Sequence, residues 1–177
     1  LHLTFSGIKE YPLEVIKLEN LQEFSLHYLG LKELPAEIQE LKKLTILYLG
    51  HNNFKQIPSE IGNLEKLKDL QVFKNSLETL PVEIGNLKSL EKSGLGNNFL
   101  KTIPSEIGKL TNLKELMIYN NRLNKLPSEI GNLKNLKKLA LFGNELEALP
   151  AEIGKLKKLE TLMLMGNNFS KKEKKKI

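Results

Sequence analysis

Apolar residues recur along this chain with a fixed period of 23 residues. One copy of the period covers residues 113–135, and its apolar positions are Leu113, Leu116, Ile118, Leu123, Leu126, Ile130 and Leu133. All seven prolines, from Pro12 to Pro150, are separated from their neighbours by the same interval. A constant period of this length is typical of a solenoid, in which supersecondary units stack on one another.

Each copy predicts a short strand followed by a short helix or 3₁₀ turn. With Leu113 as position one, residues 115–119 (ELMIY) occupy positions three to seven and alternate, which predicts a strand. Positions four and six point inward, and positions five and seven point outward. The segment that starts at Pro127 predicts the helical turn, because proline has a suitable φ there and no donor is needed. One turn cannot bury its own apolar side, so the strands must stack into a parallel sheet.

The repeat pattern LxxLxLxxNxLxxLPxEIGxLxx resembles that of the leucine-rich-repeat family, and the resemblance covers nearly the whole chain. It implies an α/β fold: a curved, horseshoe-shaped leucine-rich-repeat solenoid with a parallel β-sheet on the concave face and short α or 3₁₀ helices on the convex face. It also implies one domain over residues 1–177, with about seven and a half repeats.

The 23-residue LPxEIGxL form is similar to two groups, the secreted or surface repeat proteins of bacteria, notably spirochaetes, and the intracellular Ras-associated scaffolds. The many lysines and asparagines and the ending NNFSKKEKKKI resemble the bacterial group, in which a similar segment opens a C-terminal capping helix. Ser170 with Glu173 matches a capping box, so residues 170–177 are expected to begin such a helix. The resemblance therefore implies a secreted or cell-surface location, with a cytoplasmic location as the alternative.

Composition excludes several classes of function. The chain of 177 residues contains no cysteine, which excludes disulfides, thiol catalysis and cysteine-bound metals. No apolar run reaches about 18 residues, so no transmembrane segment is predicted. The net charge is +6, but five lysines and one glutamate lie in residues 171–177. The rest of the chain is only weakly basic, which does not favour a nucleic-acid partner. The terminal lysines leave attraction to an anionic lipid surface as an alternative to the helix cap.

Two polar positions also recur. Position 17 is always glutamate, as at Glu129, which favours a stabilising place in the first helical turn over a calcium site. Position nine is predicted to carry a structural asparagine ladder that satisfies backbone groups where the chain leaves the strand, although a row of ligands is the alternative. Ser6 and Leu29 replace this asparagine in the first turns. The ladder consists of Asn52, Asn75, Asn98, Asn121, Asn144 and Asn167.

The fourth copy departs from the pattern at Ser93, Gly94 and Gly96. Ser93 replaces an inward leucine, a loss that costs about 2–5 kcal/mol when neighbours do not close in. The two glycines empty outward positions, which predicts a notch on the concave face. Close approach of a ligand, a bend and neutral drift are the three interpretations of this notch.

Large apolar side chains occupy outward positions that an idle surface leaves polar. They form an N-terminal patch, Tyr28, Tyr48 and Phe73 with His27 and His51, and a C-terminal patch that the notch separates from it. Exposed contiguous apolar surface usually marks an interface, and tyrosine, phenylalanine and methionine are frequent at interface centres. Packing of these residues only against one another is the alternative. The C-terminal patch consists of Met117, Tyr119, Phe142, Met163 and Met165.

Mixed charges at position three are expected to form a rim beside these patches. The charged residues are Glu23, Asp69, Lys92, Glu115 and Lys138.

The sequence does not predict an enzyme, a metal site or a cofactor. Ser25, His27 and Asp69 share a predicted face, but no nucleophile elbow or oxyanion site accompanies them. The three histidines lack zinc-binding spacing, and no phosphate-binding glycine motif occurs.

We therefore expect a non-enzymatic recognition module that binds a protein or peptide on its concave face. In a bacterial secreted or surface protein, the partner implied by the resemblance is a host or cell-surface protein. A self-associating structural scaffold with weak homo-oligomers is one alternative, and an intracellular signalling scaffold is another. Glycan binding ranks last, because the aromatic row lacks the carboxylate and amide clusters that accompany sugar-stacking rings.

Overall fold

A computed structural model describes residues 1–2 and 11–175 of the chain. Each turn of the predicted period forms one strand and one short 3₁₀ helix, in strict alternation. The strands are β1 (Glu23–Ser25), β2 (Ile46–Tyr48), β3 (Asp69–Gln71), β4 (Lys92–Gly94), β5 (Glu115–Met117), β6 (Lys138–Ala140) and β7 (Thr161–Met163). The 3₁₀ helices are Leu13–Lys17, Ala36–Glu40, Ser59–Asn63, Val82–Asn86, Ser105–Lys109, Ser128–Asn132 and Ala151–Lys155.

The seven strands form one open parallel sheet in the order β1 to β7. Every residue pairs with its equivalent one period later, as Leu116 does with Leu139. The strands are shorter than positions three to seven, but backbone hydrogen bonds between neighbouring turns continue beyond them. His51, at position eight, still donates its amide to the Phe73 carbonyl at 3.0 Å. The sheet and the helices on its other side confirm the leucine-rich-repeat solenoid.

The hydrophobic core lies between the sheet and the 3₁₀ helices. Position four is fully buried at Phe24, Leu47 and Leu116, and position six is fully buried at Leu49 and Ile118. Because strand side chains alternate in direction, these residues face the helices and positions five and seven face away from them. We call the outer side of the sheet the concave face.

The fourth turn accommodates its irregular residues in two different ways. Ser93 is 1% exposed and its hydroxyl has no hydrogen-bond partner among the described residues, so it weakens the core at this turn. Gly94 and Gly96 are not open, because side chains from neighbouring strands cover them. A Cβ on Gly94 would lie 1.8 Å from Gln71 Oε1, and a Cβ on Gly96 would lie 2.4 Å from Tyr119 Cζ. The prediction of an open notch is therefore wrong, because the space over the two glycines is occupied by side chains of neighbouring strands.

The C-terminal end carries the predicted helix cap. Ser170 precedes the short helix α1 (Lys171–Lys174), and its hydroxyl accepts a hydrogen bond from the Glu173 amide at 3.1 Å. This bond satisfies a backbone donor at the start of the helix. The last two residues of the segment expected to form the cap, and Ser6 in the first turn, lie outside the described residues. Among the described residues, no helix combines the length and the apolar character needed to cross a membrane.

Candidate functional site

The asparagine ladder lies at the edge of the core, just after the strands. Asn98 is 4% exposed, and its carbonyl oxygen accepts from the Leu77 amide at 3.0 Å. Its amide group donates to the carbonyl oxygens of Val72 and Leu95, both at 3.0 Å. Equivalent bonds, within the residue's own turn and to the turn before it, are made by Asn52, Asn75, Asn121, Asn144 and Asn167. Each side chain therefore uses its polar atoms on the backbone, which leaves the concave face as the candidate site for a partner.

All eight residues predicted to contact a partner lie on the concave face or at its rim. Tyr28, Met163 and Met165 are 45%, 40% and 84% exposed, respectively. The other five, Tyr48, Phe73, Met117, Tyr119 and Phe142, are half-buried. None of the eight belongs to the buried core, and several of their rings pack against neighbouring rings on this face.

Aromatic rings of the N-terminal patch contact one another across three turns. His27 stacks on Tyr48 with a centroid distance of 5.6 Å, and it lies 5.7 Å from the ring of Phe73. The Tyr28 ring stacks on His51 at 3.9 Å, and its hydroxyl lies 2.9 Å from His51 Nε2. His51 also meets Phe73 edge to face at 5.4 Å. The patch is one connected aromatic cluster in which the two histidines join the three predicted residues.

Burial and positive neighbours favour neutral His51. Partial burial lowers its pKa first, and Lys74 and His27 lower it further. A histidine whose folded-state pKa is depressed contributes stability that is present above its unfolded pKa and is lost as the pH falls through the folded pKa. Acidification below the ordinary histidine range therefore weakens this cluster.

The C-terminal patch is built around one stacked pair. The rings of Tyr119 and Phe142 are 4.7 Å apart and nearly parallel, with an angle of 6° between them. Tyr119 reaches over Gly96, so its ring fills the expected gap between the patches. Met163 and Met165 extend the apolar surface to β7, where they are the most exposed members of the set apart from Tyr28.

The charged rim is only partly neutralised by internal pairs. Lys92 Nζ lies 3.4 Å from Glu115 Oε1, which joins β4 to β5. Asp69 accepts a hydrogen bond from Gln71 Nε2 at 2.6 Å and makes no ion pair with a described residue. Burial raises the pKa of the Asp69 carboxyl group more strongly than Lys92 lowers it.

Ser25, His27 and Asp69 do not form a catalytic relay. Ser25 is 1% exposed, His27 Nδ1 lies 3.1 Å from the Gly50 carbonyl oxygen, and Asp69 is bound by Gln71. Within residues 1–2 and 11–175, no three histidine, aspartate or glutamate side chains are grouped so that they could hold a metal ion. The concave face thus presents aromatic, methionine and charged side chains.

Sequence reasoning missed the backbone conformation at position eight. Tyr28, His51 and Lys74 have φ angles of 61°, 57° and 53°, in the left-handed region. The same position is Asn97, Asn120, Gly143 or Gly166 in later turns, and these residue types adopt that region most readily. The change from bulky residues to asparagine and glycine was the signal available in the sequence. Tyr28 and His51, which have this strained backbone conformation, both belong to the aromatic cluster. Backbone strain is frequently found at functional sites.

Lys74→Asn is expected to raise the free energy of unfolding by about 0.5–1 kcal/mol, because asparagine tolerates the left-handed conformation better than lysine. Urea denaturation of the two proteins measures the difference. Asn97→Lys at the equivalent position of the next turn is the matched control and is expected to destabilise. A lower stability for Lys74→Asn would contradict the assignment of strain to this backbone position.

These features define a solenoid repeat protein with a partly apolar sheet face available for recognition. The chain belongs to the leucine-rich-repeat family, because the profile described as "Leucine-rich repeat region" matches residues 1–92 and 101–172. A comparison with curated protein sequences gave no match.

Solved structures show the same fold. The plant peptide hormone receptor RGFR1 in complex with RGF2 is 35% identical with a TM-score of 0.83; the match covers 90% of this chain and 27% of that one. The ectodomain of the Arabidopsis thaliana receptor kinase GASSHO1/SCHENGEN3, in complex with CASPARIAN STRIP INTEGRITY FACTOR 2, is 32% identical with a TM-score of 0.81; coverage is 90% and 20%. A leucine-rich-repeat protein of Leptospira interrogans is 30% identical with a TM-score of 0.52; coverage is 97% and 61%. This chain therefore spans about a fifth to a quarter of the two receptor chains.

Proposed function

We propose that this chain is a non-enzymatic recognition domain that binds a protein or peptide across its concave face. The observation that carries the proposal is the row of aromatic and methionine side chains on the outer side of the sheet, which the core does not use. Aromatic rings provide large contact areas at low cost in conformational entropy, flexible methionines adapt to the shape of a partner, and both residue types are typical of interface centres. The two plant receptors, whose structures contain RGF2 and CASPARIAN STRIP INTEGRITY FACTOR 2 respectively, add support from the family.

We further propose a secreted or surface bacterial protein, with a host or cell-surface protein as the partner. The lysine- and asparagine-rich repeats and the sequence NNFSKKEKKKI favour this setting, and the similarity to the Leptospira interrogans protein supports it. In this setting, the partner meets the concave face from solution, and the patches act as its apolar anchors.

Selection from a displayed library of random peptides tests the recognition function. Peptides enriched on the immobilised chain are expected to bind about tenfold more weakly to one of two double variants, Tyr119→Ala/Phe142→Ala or Tyr48→Ala/Phe73→Ala. Each double substitution removes two of the apolar side chains that anchor the peptide. Titration of the enriched peptides by fluorescence anisotropy measures the change. Thermal unfolding of each variant separates loss of binding from loss of fold.

A control variant removes two exposed apolar side chains from the helical side. Leu13 and Val82 are 52% and 53% exposed, so Leu13→Ala/Val82→Ala is expected to leave peptide affinity unchanged. Enriched peptides that bind both concave variants as tightly as the original chain would place recognition elsewhere. A library that yields no peptide specific for the concave face would count against the proposal.

Self-association is the second candidate, and the C-terminal end favours it. Leu162 and Met163 are 36% and 40% exposed on the edge strand β7, and a Cβ placed on Gly154 would meet no atom within 4 Å. Unpaired sheet edges with apolar residues readily add a strand from another chain. Mass measured by light scattering over a dilution series tests this idea, and a strictly monomeric protein at high concentration would remove it.

A further inference from the structure

Asp69 is a partly desolvated carboxylate on the concave face with no cation paired to it among the described residues. It lies half-buried on β3, and Gln71 supplies its hydrogen bond. The nearby Lys92 directs its ammonium group at Glu115 instead. Burial raises the pKa of Asp69, because the ionised form loses contact with water. A positive group brought by a partner would compensate this loss.

An aromatic face lies beside this carboxylate. Tyr48 pairs in register with Gln71 on the neighbouring strand, and Gln71 is the residue that donates to Asp69. Burial is the main cause that raises the pKa of the Tyr48 hydroxyl; the charges of Asp69 and Glu23 raise it further, and Lys92 lowers it. The Tyr48 ring is also held in place by the stacked ring of His27, 5.6 Å away between centroids. The concave surface of β1 to β3 therefore combines an oriented aromatic ring with negative charge.

The acidic residues beside Tyr48 have the opposite sign to the net charge of the chain. The net charge is +6, yet Glu23 and Asp69 are the charged residues at position three in the first three turns. Lys92 lies next to Asp69 on β4, but its ammonium group pairs with Glu115. A cation is therefore favoured on the side of Asp69 that faces β1 and β2, where the charged residues at position three are acidic.

Arginine matches this arrangement better than other side chains. Its guanidinium group is planar, forms two parallel hydrogen bonds to a carboxylate and stacks on an aromatic ring. Its weaker hydration also lowers the cost of entering a partly buried site. A lysine ammonium would satisfy the charge but not the flat geometry.

We propose, building on the recognition function above, that Asp69 and the face of Tyr48 form a subsite for an arginine side chain of the partner. The guanidinium group hydrogen-bonds to the carboxylate of Asp69 and stacks on the ring of Tyr48. The subsite lies at the N-terminal patch, so it sets the register of a bound peptide whose apolar residues contact the rest of the concave face.

Gln71 is a positioning residue for this subsite. Its Nε2 group donates to Asp69, while its Oε1 atom occupies the space above Gly94. A methyl group on Gly94 would overlap Oε1 and displace the Gln71 side chain, so Gly94→Ala is expected to release Asp69 from its orientation. Gly94 in the fourth turn thus leaves room for Gln71, which holds the carboxylate of Asp69 in the third turn.

The test titrates isotope-labelled protein with N-acetyl-arginine amide and follows chemical shifts by NMR. N-acetyl-citrulline amide is the matched neutral probe, because citrulline keeps the shape of arginine without its charge. The arginine probe is expected to cause saturable shifts centred on Tyr48, Asp69 and Gln71. The citrulline probe is expected to bind about tenfold more weakly.

Variants assign the effect to the subsite. Asp69→Asn and Tyr48→Gln are each expected to weaken binding of the arginine probe about tenfold, and Gly94→Ala by a smaller factor. Gln is already present at the position of Tyr48 in the next turn, so this change suits the backbone. Glu160→Gln removes one carboxylate far from the site, where it pairs with Lys137 at 3.1 Å, and is expected to change nothing.

Thermal unfolding shows that loss of binding is not loss of fold. Asp69→Asn is expected to unfold at the same or a higher temperature, because it removes a carboxylate that burial disfavours. Equal shifts with both probes, no saturable shift with arginine, or unchanged binding to Asp69→Asn would each overturn the subsite.

The subsite and the general recognition function fail in different ways. Selected peptides that lose affinity for Tyr119→Ala/Phe142→Ala but contain no arginine, and bind Asp69→Asn normally, would refute the subsite and keep the function. If the arginine probe bound but no selected peptide used the concave face, the subsite would stand and the general recognition function would be refuted.

Discussion

Asn98→Ala is expected to lower the free energy of unfolding by about 4 kcal/mol, the largest effect of a single substitution that we predict. The side chain accepts from Leu77 and donates to the carbonyl oxygens of Val72 and Leu95 in a place that is 4% exposed. Alanine leaves these backbone groups without a partner and without water, and each buried unsatisfied group costs about 1–3 kcal/mol. Urea denaturation followed by circular dichroism measures the loss.

An exposed asparagine provides the control for this prediction. Asn112 donates one hydrogen bond to the Lys88 carbonyl oxygen at 2.9 Å on the protein surface. Asn112→Ala is expected to cost less than about 1 kcal/mol, because water replaces the lost partner. If the two variants were equally stable, the ladder would not contribute to stability through its buried hydrogen bonds.

Gly108→Ala is expected to destabilise by about 2 kcal/mol, although the residue lies in an ordinary helical turn and not in a strained one. A Cβ there would lie 2.5 Å from the Glu129 carbonyl oxygen and 2.7 Å from the Glu129 Cβ. The helices Ser105–Lys109 and Ser128–Asn132 would have to move apart to make room. For a chain of this size, the loss corresponds to a fall in melting temperature of about 4–8 °C, which calorimetry detects.

Gly154→Ala makes the same chemical change where nothing lies within 4 Å, so its melting temperature is expected to match that of the original chain. Gln39 occupies the same position in the second helix and accepts a hydrogen bond from Asn63 of the third at 2.7 Å, so that junction, unlike the one at Gly108, accommodates a side chain. A Gly108→Ala variant as stable as Gly154→Ala would mean that interior turns separate as easily as the ends.

The repeat pattern also explains why we place the proposed recognition site on the concave face. In each turn the inward residues fill the core, and the asparagine side chain bonds to the backbone. At the position of Gly108, the neighbouring helices approach too closely for most side chains. Gly94 and Gly96 lie under Gln71 and Tyr119, but other outward positions of the strands are less constrained, and many of them hold aromatic rings or methionines. Variation at these positions can change the partner without changing the fold.

The architecture was determined by the sequence alone. Because each residue pairs with its equivalent 23 positions later, the period dictates a parallel sheet in register, and local alternation decides which side chains enter the core. The hydrogen bond from the Glu173 amide to Ser170 followed from local sequence as well, since a capping box depends only on neighbouring residues.

Only the tertiary structure decided how side chains from adjacent turns share the concave face. The sequence does not reveal that Tyr119 covers Gly96, that Gln71 covers Gly94 and bonds to Asp69, or that position eight is left-handed at Tyr28. These features depend on distances of a few ångströms between residues that lie a full turn apart. The periodic pattern specifies which turns are neighbours, whereas the packing of the individual side chains between them decides the shape and charge of the surface offered to a partner.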